Sequence, residues 1–74
     1  MDFEQFHSNF AEILDIEENE LTDDFILDDS SVDSLSRLSL AALVIDLFHI
    51  ELNDENLGSC KNYKDLKILI EQLT

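Results

Sequence analysis

Residues 33–52 read DSLSRLSLAALVIDLFHIEL, and this stretch decides the fold class. Two apolar rows run along it at steps that belong to a helix. One row is Leu35, Leu38, Ala42 and Ile45, and the other is Leu40, Leu43, Val44, Leu47 and Phe48. Asp33 can cap the helix, because its carboxylate can accept the free N–H groups of a first turn. The pattern predicts a helix from Asp33 or Ser34 to about His49. It is either central in the core or has one face left for a partner.

Upstream of this helix, a second helix and a long loop are predicted. The apolar residues Phe3, Phe6, Phe10, Ile13 and Leu14 share one helical face, which predicts a helix over residues 3–14. Asp2 and Glu4 fall in its first turn, where the helix dipole favours acids. Residues 15–33 hold nine acids and six isolated large apolar residues: Ile16, Leu21, Phe25, Ile26, Leu27 and Val32. We expect an ordered loop, held to the core by several of these side chains.

Two further helices are predicted downstream. Asn53 can cap a short helix over residues 54–57, stopped by Gly58 at its C-terminal cap. Asn62 can cap the last helix, with Asp65 at its third position. The apolar stripe of that helix is Tyr63, Leu66, Ile70 and Leu73, widened by Leu69. The predicted fold is a single all-α domain, residues 1–74. It is a small four-helix bundle of three main helices and one short one, with the long loop between the first two.

Charge and cysteine content exclude several classes of function. The chain has 74 residues and a net charge of −14. It should not bind nucleic acid or anionic membranes, which require clustered basic residues. Cys60 is the only cysteine, so there is no disulfide or cysteine-based zinc site, and a reducing compartment fits. The longest apolar run, residues 40–45, is far shorter than the roughly 20 residues of a membrane helix. We expect a cytoplasmic monomer that does not insert into membranes.

Candidate catalytic and metal-binding residues are few. His7 and His49 are most simply structural or solvent-facing, and Cys60 fits a small buried core residue. The acidic loop departs from a calcium-binding loop at Glu20, where glycine is needed, and at Ile26, where a bidentate glutamate is needed. Ser34 has no Gly-x-Ser-x-Gly surroundings. No catalytic residue and no metal site are therefore predicted.

Ser34 is nevertheless a notable serine, because it follows an acidic cap at the start of a helix. From Val32-Asp33-Ser34-Leu35 alone, a plain capping serine remains an open alternative. The wider spacing is more informative: Asp33-Ser34-Leu35 is followed by Asp46-Leu47-Phe48-His49-Ile50-Glu51-Leu52, by Asn53-Asp54-Glu55-Asn56-Leu57 and by Cys60-Lys61-Asn62-Tyr63-Lys64-Asp65-Leu66. This order closely resembles the acyl carrier protein family over essentially the whole chain.

The resemblance implies a four-helix bundle that is not an enzyme. It also implies that Ser34 bears 4′-phosphopantetheine, transferred from coenzyme A by a separate phosphopantetheinyl transferase that uses Mg²⁺. Asp33 resembles the acid that helps hold this Mg²⁺, and Leu35 resembles the apolar residue that the transferase grips. The arm would carry an acyl or aminoacyl thioester, so the implied partners are a loading ligase and downstream synthase or transferase enzymes. A helix start suits a phosphate, because its free N–H groups and dipole attract anions.

Departures from the family pattern indicate a specialised carrier. Ser31 stands where fatty-acid carriers have glycine, and the loop before Ser34 is closer to those of D-alanyl and other dedicated carriers. The expected partner-binding residues are Arg37, Ala41, Ala42, Ile45 and Asp46, of which Asp46 alone is acidic. Phe48 and Ile50 are expected to anchor the core. The alternative function is an acidic helical interaction module without a prosthetic group.

Overall fold

A computed structural model describes residues 3–74 and folds them into four α-helices without a β-strand. The helices are α1 (Phe3–Leu14), α2 (Ser34–Phe48), α3 (Asp54–Gly58) and α4 (Tyr63–Leu73), with a 3-10 helix, Glu18–Glu20, between α1 and α2. The described chain measures 26 × 24 × 20 Å. These elements confirm the predicted small all-α bundle with three main helices and one short helix. None of the helices within residues 3–74 has both the length and the apolar character needed to cross a membrane.

The core is centred on aromatic rings from α1, α2 and α4. The Phe6 ring lies 5.6 Å from the rings of both Phe10 and Phe48 and 6.4 Å from that of Tyr63. Phe6, Phe10 and Tyr63 are buried, and ring pairs at these separations stabilise beyond their apolar area alone. The other buried residues are Ala11, Leu21, Val32, Leu40, Val44, Ile50, Leu52, Cys60, Leu66 and Ile70.

Capping side chains begin the later helices where the sequence predicted them. The carboxylate of Asp33 accepts a hydrogen bond from the backbone N–H of Ser36 at 2.9 Å, and Asn62 accepts one from Asp65 N–H at 2.9 Å. Asn53 forms a reciprocal capping box at the start of α3. Such caps satisfy N–H groups that have no partner inside the helix, which is why each element starts there. Of the two acids predicted in the first turn of α1, Glu4 is found there, and Asp2 lies outside the described residues.

The predicted stop of α3 at Gly58 is wrong. Gly58 is the last residue of the helix, and the cap is Ser59, with φ −81° and ψ −13° in the right-handed region. The chain leaves through a tight turn in which the N–H of Cys60 donates to the carbonyl of Leu57 at 3.2 Å. Because this turn needs no left-handed residue, the conformational freedom of glycine is not used. The left-handed cap is instead His49, with φ 58°, at the end of α2.

Two apolar residues are less buried than their spacing predicted. Leu73 extends the stripe of α4 but is 45% exposed, because it falls in the last turn of α4, beyond the packed core. Phe48 is only partly buried, although its ring lies 5.5 Å from that of Phe3. Phe48 is therefore a partial core anchor, whereas Ile50 is buried as predicted.

The loop between α1 and α2 is ordered by apolar and backbone contacts. Leu21 and Val32 are buried, and the N–H of Leu27 donates to the carbonyl of Lys61 at 2.9 Å. A second backbone bond joins the N–H of Tyr63 to the carbonyl of Phe25 at 3.0 Å. This short bridge makes alternate side chains point inward and outward, as in a strand, so Ile26 is exposed between its two neighbours. These backbone bonds hold the loop against the start of α4 before the chain enters α2.

Candidate functional site

Ser34 is an exposed residue at the first position of α2. Its hydroxyl makes no hydrogen bond to any of residues 3–74, in contrast to Ser31, whose hydroxyl donates to the carbonyl of Ile26 at 2.7 Å. The first N–H groups of a helix have no carbonyl partner within it, so donors and a positive dipole end lie beside the Ser34 side chain. This arrangement suits a phosphate ester on the hydroxyl.

Asp33, directly before Ser34, is held as a carboxylate. The N–H of Ser36 donates to it, and this hydrogen bond lowers the pKa of Asp33 below its ordinary value. The side chain is exposed, so the carboxylate remains accessible from solvent. Asp33 therefore combines two functions in one group, capping the helix and presenting a negative charge next to Ser34.

The position of Ser34 is fixed from both sides of the helix start. Before it, the carboxylate of Asp28 accepts hydrogen bonds from the N–H groups of Ser30 and Ser31, both at 3.0 Å, and folds the loop into a turn. Val32 then anchors the end of the loop in the core, and Leu40 anchors the buried face of α2 there. Ser34 is consequently an exposed residue on a rigid support, as a modification site requires.

A cleft of about 360 Å³ opens beside Ser34, between α2 and α3. It is lined by Ser34, Arg37, Leu38, Ala41, Leu52, Asp54 and Leu57. Most of these side chains are apolar, and Arg37 and Asp54 supply its charges. A cavity of only about 20 Å³ adjoins it and shares Arg37 and Leu57. A separate acidic cleft of about 530 Å³, between α1 and the 3-10 helix, has no residue in common with the Ser34 cleft.

Arg37 lies in the Ser34 cleft, where it is paired with the loop. Its Nη2 donates to the Oδ1 of Asp29 at 2.7 Å. The Arg37 side chain is 39% exposed, whereas that of Asp29 is 94% exposed. Arg37 lies in the same cleft as Ser34 and is partly exposed, so the expected contact with a partner protein stays a prediction.

One of the two apolar rows of α2 is exposed, and its Leu38 also lines the Ser34 cleft. Leu35 is 75% exposed, Leu38 71% and Ile45 46%, and Ala42 between them is also exposed. We call Leu35, Leu38, Ala42 and Ile45 the outer row. Of the expected partner residues, the structure places Ala42, Ile45 and Asp46 on the exposed surface, and Ala41 in the Ser34 cleft. Leu38 was not chosen from the sequence, although it shares the three- and four-residue spacing of Ala42 and Ile45.

Residues predicted to be structural have structural surroundings. His7 accepts or donates at 3.0 Å to the Tyr63 hydroxyl through Nδ1, and its Nε2 lies 2.8 Å from the carbonyl of Glu18. Cys60 is buried, and burial raises the pKa of its thiol. His49 is exposed at the end of α2. These contacts connect the bundle and its loop, away from the Ser34 cleft.

Comparison with known proteins identifies the family. The chain matches the family described as "Phosphopantetheine attachment site" over residues 4–70. It therefore belongs to the phosphopantetheine-binding carrier proteins, which are not enzymes and bear a covalently attached 4′-phosphopantetheine. No curated protein and no solved structure matches the chain. Carrier domains of this kind work with a transferase that attaches the group and with biosynthetic enzymes that use it.

The residues around Ser34 fit such a group. The hydroxyl is exposed and unbonded within residues 3–74, it lies at the N-terminal end of α2, and the cleft next to it has mostly apolar walls. A negatively charged group on this hydroxyl would meet the positive end of the α2 dipole.

Proposed function

We propose that this protein carries an acyl or aminoacyl group as a thioester on a 4′-phosphopantetheine arm joined to Ser34. The observation that carries the proposal is the exposed, unbonded Ser34 hydroxyl directly after Asp33 at the start of α2. Membership of the phosphopantetheine-binding family favours this function over an interaction module without a prosthetic group. A loading ligase charges the arm, and the loaded arm is then offered to downstream synthase or transferase enzymes.

Loading requires one group transfer, for which this chain supplies the acceptor. The Ser34 oxygen forms an ester bond to the phosphorus of the pantetheine phosphate in coenzyme A. The hydroxyl proton passes to the transferase, and adenosine 3′,5′-bisphosphate leaves with the electrons of the broken P–O bond. The ionised Asp33 would offer a ligand to the transferase's Mg²⁺, and Leu35, 75% exposed, would give that enzyme an apolar contact.

The attachment is tested by intact mass after incubation with coenzyme A and a promiscuous phosphopantetheinyl transferase. The wild type is expected to gain the mass of one phosphopantetheine, and Ser34→Ala is expected to gain nothing. Ser30→Ala and Ser31→Ala are matched controls from the same loop, and both should be modified like the wild type. Modification that persists in Ser34→Ala would overturn the assignment of this serine.

We further propose that the protein is a specialised carrier rather than the housekeeping carrier of fatty-acid synthesis. The outer row offers apolar contacts where fatty-acid carriers offer acids, and Ile45 is 46% exposed rather than packed in the bundle. Charges at the rim of an interface mostly set association rates and reject wrong partners, whereas buried apolar contacts prolong binding. A basic docking patch on a housekeeping synthase therefore finds few acidic residues to pair with on α2.

A housekeeping ketosynthase tests this second proposal. The holo protein is expected to be a poor substrate, and acids introduced at Arg37, Ser39 and Ile45 should improve turnover. Because Arg37 is paired with Asp29, the variant Ser39→Glu/Ile45→Glu separates the surface effect from the loss of this pair. Ile68→Glu, at a position 42% exposed on α4, is a matched control and should bring no gain. Efficient use of the wild type, or no gain in folded α2 variants, would contradict a specialised carrier.

A further inference from the structure

Arg37 is placed where it can reach a group attached to Ser34. It follows Ser34 by three residues, so the two side chains lie on the same face of α2, and both line the same cleft. Long side chains in a helix lean toward its N-terminus, which directs the Arg37 guanidinium back toward the first turn. A phosphate ester on the Ser34 hydroxyl would thus be formed next to the guanidinium.

The present partner of Arg37 holds it weakly. Within residues 3–74 the guanidinium makes one polar contact, from Nη2 to the Oδ1 of Asp29 at 2.7 Å. A guanidinium has five N–H donors, so most of them remain available for another acceptor. Asp29 is 94% exposed, and ion pairs with so much solvent contact add little stability. Asp29 can therefore be exchanged for a better acceptor at small cost.

The negative charge of the chain favours such an exchange. A phosphodiester adds negative charge to a chain of net charge −14, at a point flanked by Asp33 and Asp54. The chain has four basic residues, and of these Arg37 alone lines the Ser34 cleft in the part that the structure describes. Arginine matches phosphate oxygens with paired N–H donors, which lysine cannot do.

We propose that Arg37 is a positioning residue that leaves Asp29 and binds the phosphodiester on Ser34 when the protein is converted to its holo form. This inference rests on the proposed attachment to Ser34. The contact with Arg37 holds the phosphate end of the arm over the α2–α3 cleft and releases Asp29. The loop before Ser34 therefore differs between the apo and holo proteins. A carrier whose loop reports the presence of the arm offers partner enzymes a way to tell the two forms apart.

Nuclear magnetic resonance tests the exchange on the intact protein. Arg37 is the only arginine, and the attached arm contains one phosphorus atom, so both signals are assigned without a variant. The Arg37→Gln change should shift the phosphorus resonance of the holo protein. Lys61→Gln, which removes the same charge at an exposed position outside the cleft, should leave it in place. Asp29→Asn should shift the Arg37 Nε–H signal in the apo protein but barely move it in the holo protein.

The possible results separate this inference from the proposed function. A phosphorus resonance that Arg37→Gln moves no more than Lys61→Gln does would overturn the exchange, and so would an equal effect of Asp29→Asn in both forms. The Asp29→Asn comparison keeps the native arginine, so it decides the matter even if Arg37→Gln is unstable. A protein that shows no phosphopantetheine on Ser34 by mass would overturn the proposed attachment and this inference together. A modified Ser34 with an unchanged phosphorus signal would overturn the inference alone.

Discussion

The two faces of α2 are both apolar in sequence, yet they differ completely in what covers them. On the inner face, Leu40 is 2% exposed and Val44 is fully buried, whereas Leu35 and Leu38 of the outer row are 75% and 71% exposed. The inner face packs against α1, which supplies the rings of Phe3 and Phe6. Helical spacing therefore identifies an apolar face of α2 but not what covers it. In a carrier protein, a face that the chain itself leaves open is available to partner enzymes.

The largest effect should follow from truncating the inner face. Leu40→Ala is expected to cost about 2–5 kcal/mol of unfolding free energy, because it leaves a cavity in a packed core. The matched change on the outer row, Leu38→Ala, should stay within about 0.5 kcal/mol, as for surface positions generally. Urea unfolding followed by circular dichroism measures both. Equal losses in the two variants would show that the outer row is also covered, against the structure.

A smaller effect is expected at the end of the inner face. Phe48 is only partly buried, so Phe48→Ala should cost roughly 2 kcal/mol, below the roughly 3–5 kcal/mol of a fully buried ring. Phe6→Ala, at a residue with no exposure, is the matched control and should show the full loss. The same urea experiment measures the loss of unfolding free energy in both variants. A loss in Phe48→Ala as large as that in Phe6→Ala would mean that the end of α2 is more deeply packed than described.

Alkaline pH probes the packing behind the inner face through the single tyrosine. Burial raises the pKa of Tyr63 to about 12, above the value of about 10 for an exposed tyrosine. The folded state therefore keeps a proton that the unfolded state loses. This contribution to stability is fully present below about pH 10 and is lost as the pH rises through about 12. Ultraviolet absorbance of tyrosinate should show late ionisation coupled to unfolding. Ionisation near pH 10 in a folded protein would contradict this burial.

The smallest effect is expected from salt. Nine acids lie within residues 15–33, and no lysine or arginine precedes Arg37, so like charges repel one another in the loop that leads to α2. Raising the ionic strength to about 0.15 M screens such charges and should raise the melting temperature by a few degrees. A scan of melting temperature against salt measures this. A melting temperature that stays flat from low salt to about 0.15 M would contradict this repulsion.

Much of the fold could be predicted from the sequence because local contacts set where the helices begin. Asp33, Asn53 and Asn62 each accept a hydrogen bond from an N–H only three residues away, so a short stretch of sequence contains the whole interaction. The inward face of α1 was equally predictable, since Phe6 and Phe10 repeat at the period of a helix. Ser34 was assigned as the attachment site from the same local signal together with the family spacing, and this assignment stays a prediction.

What the sequence did not predict depends on tertiary contacts. Which face of α2 is covered depends on where α1 packs. The spacing of Leu38 in the sequence therefore does not show that its side chain is exposed. The pairing of Arg37 with Asp29 joins a helix to a loop eight residues earlier, so it needs the folded turn at Asp28. Gly58 was expected to stop α3, but the helix includes Gly58 and leaves through a right-handed turn at Ser59, in which the N–H of Cys60 donates to the carbonyl of Leu57.

Tandem mass spectrometry of the protein after transferase treatment locates the arm on a single serine. Fragments that retain the added phosphopantetheine must distinguish Ser34 from its neighbours Ser30, Ser31 and Ser36. We predict that every modified fragment contains Ser34 and that the pantetheine is ejected from this residue. An unmodified protein, or an arm located on Ser30, Ser31 or Ser36, would contradict the attachment to Ser34.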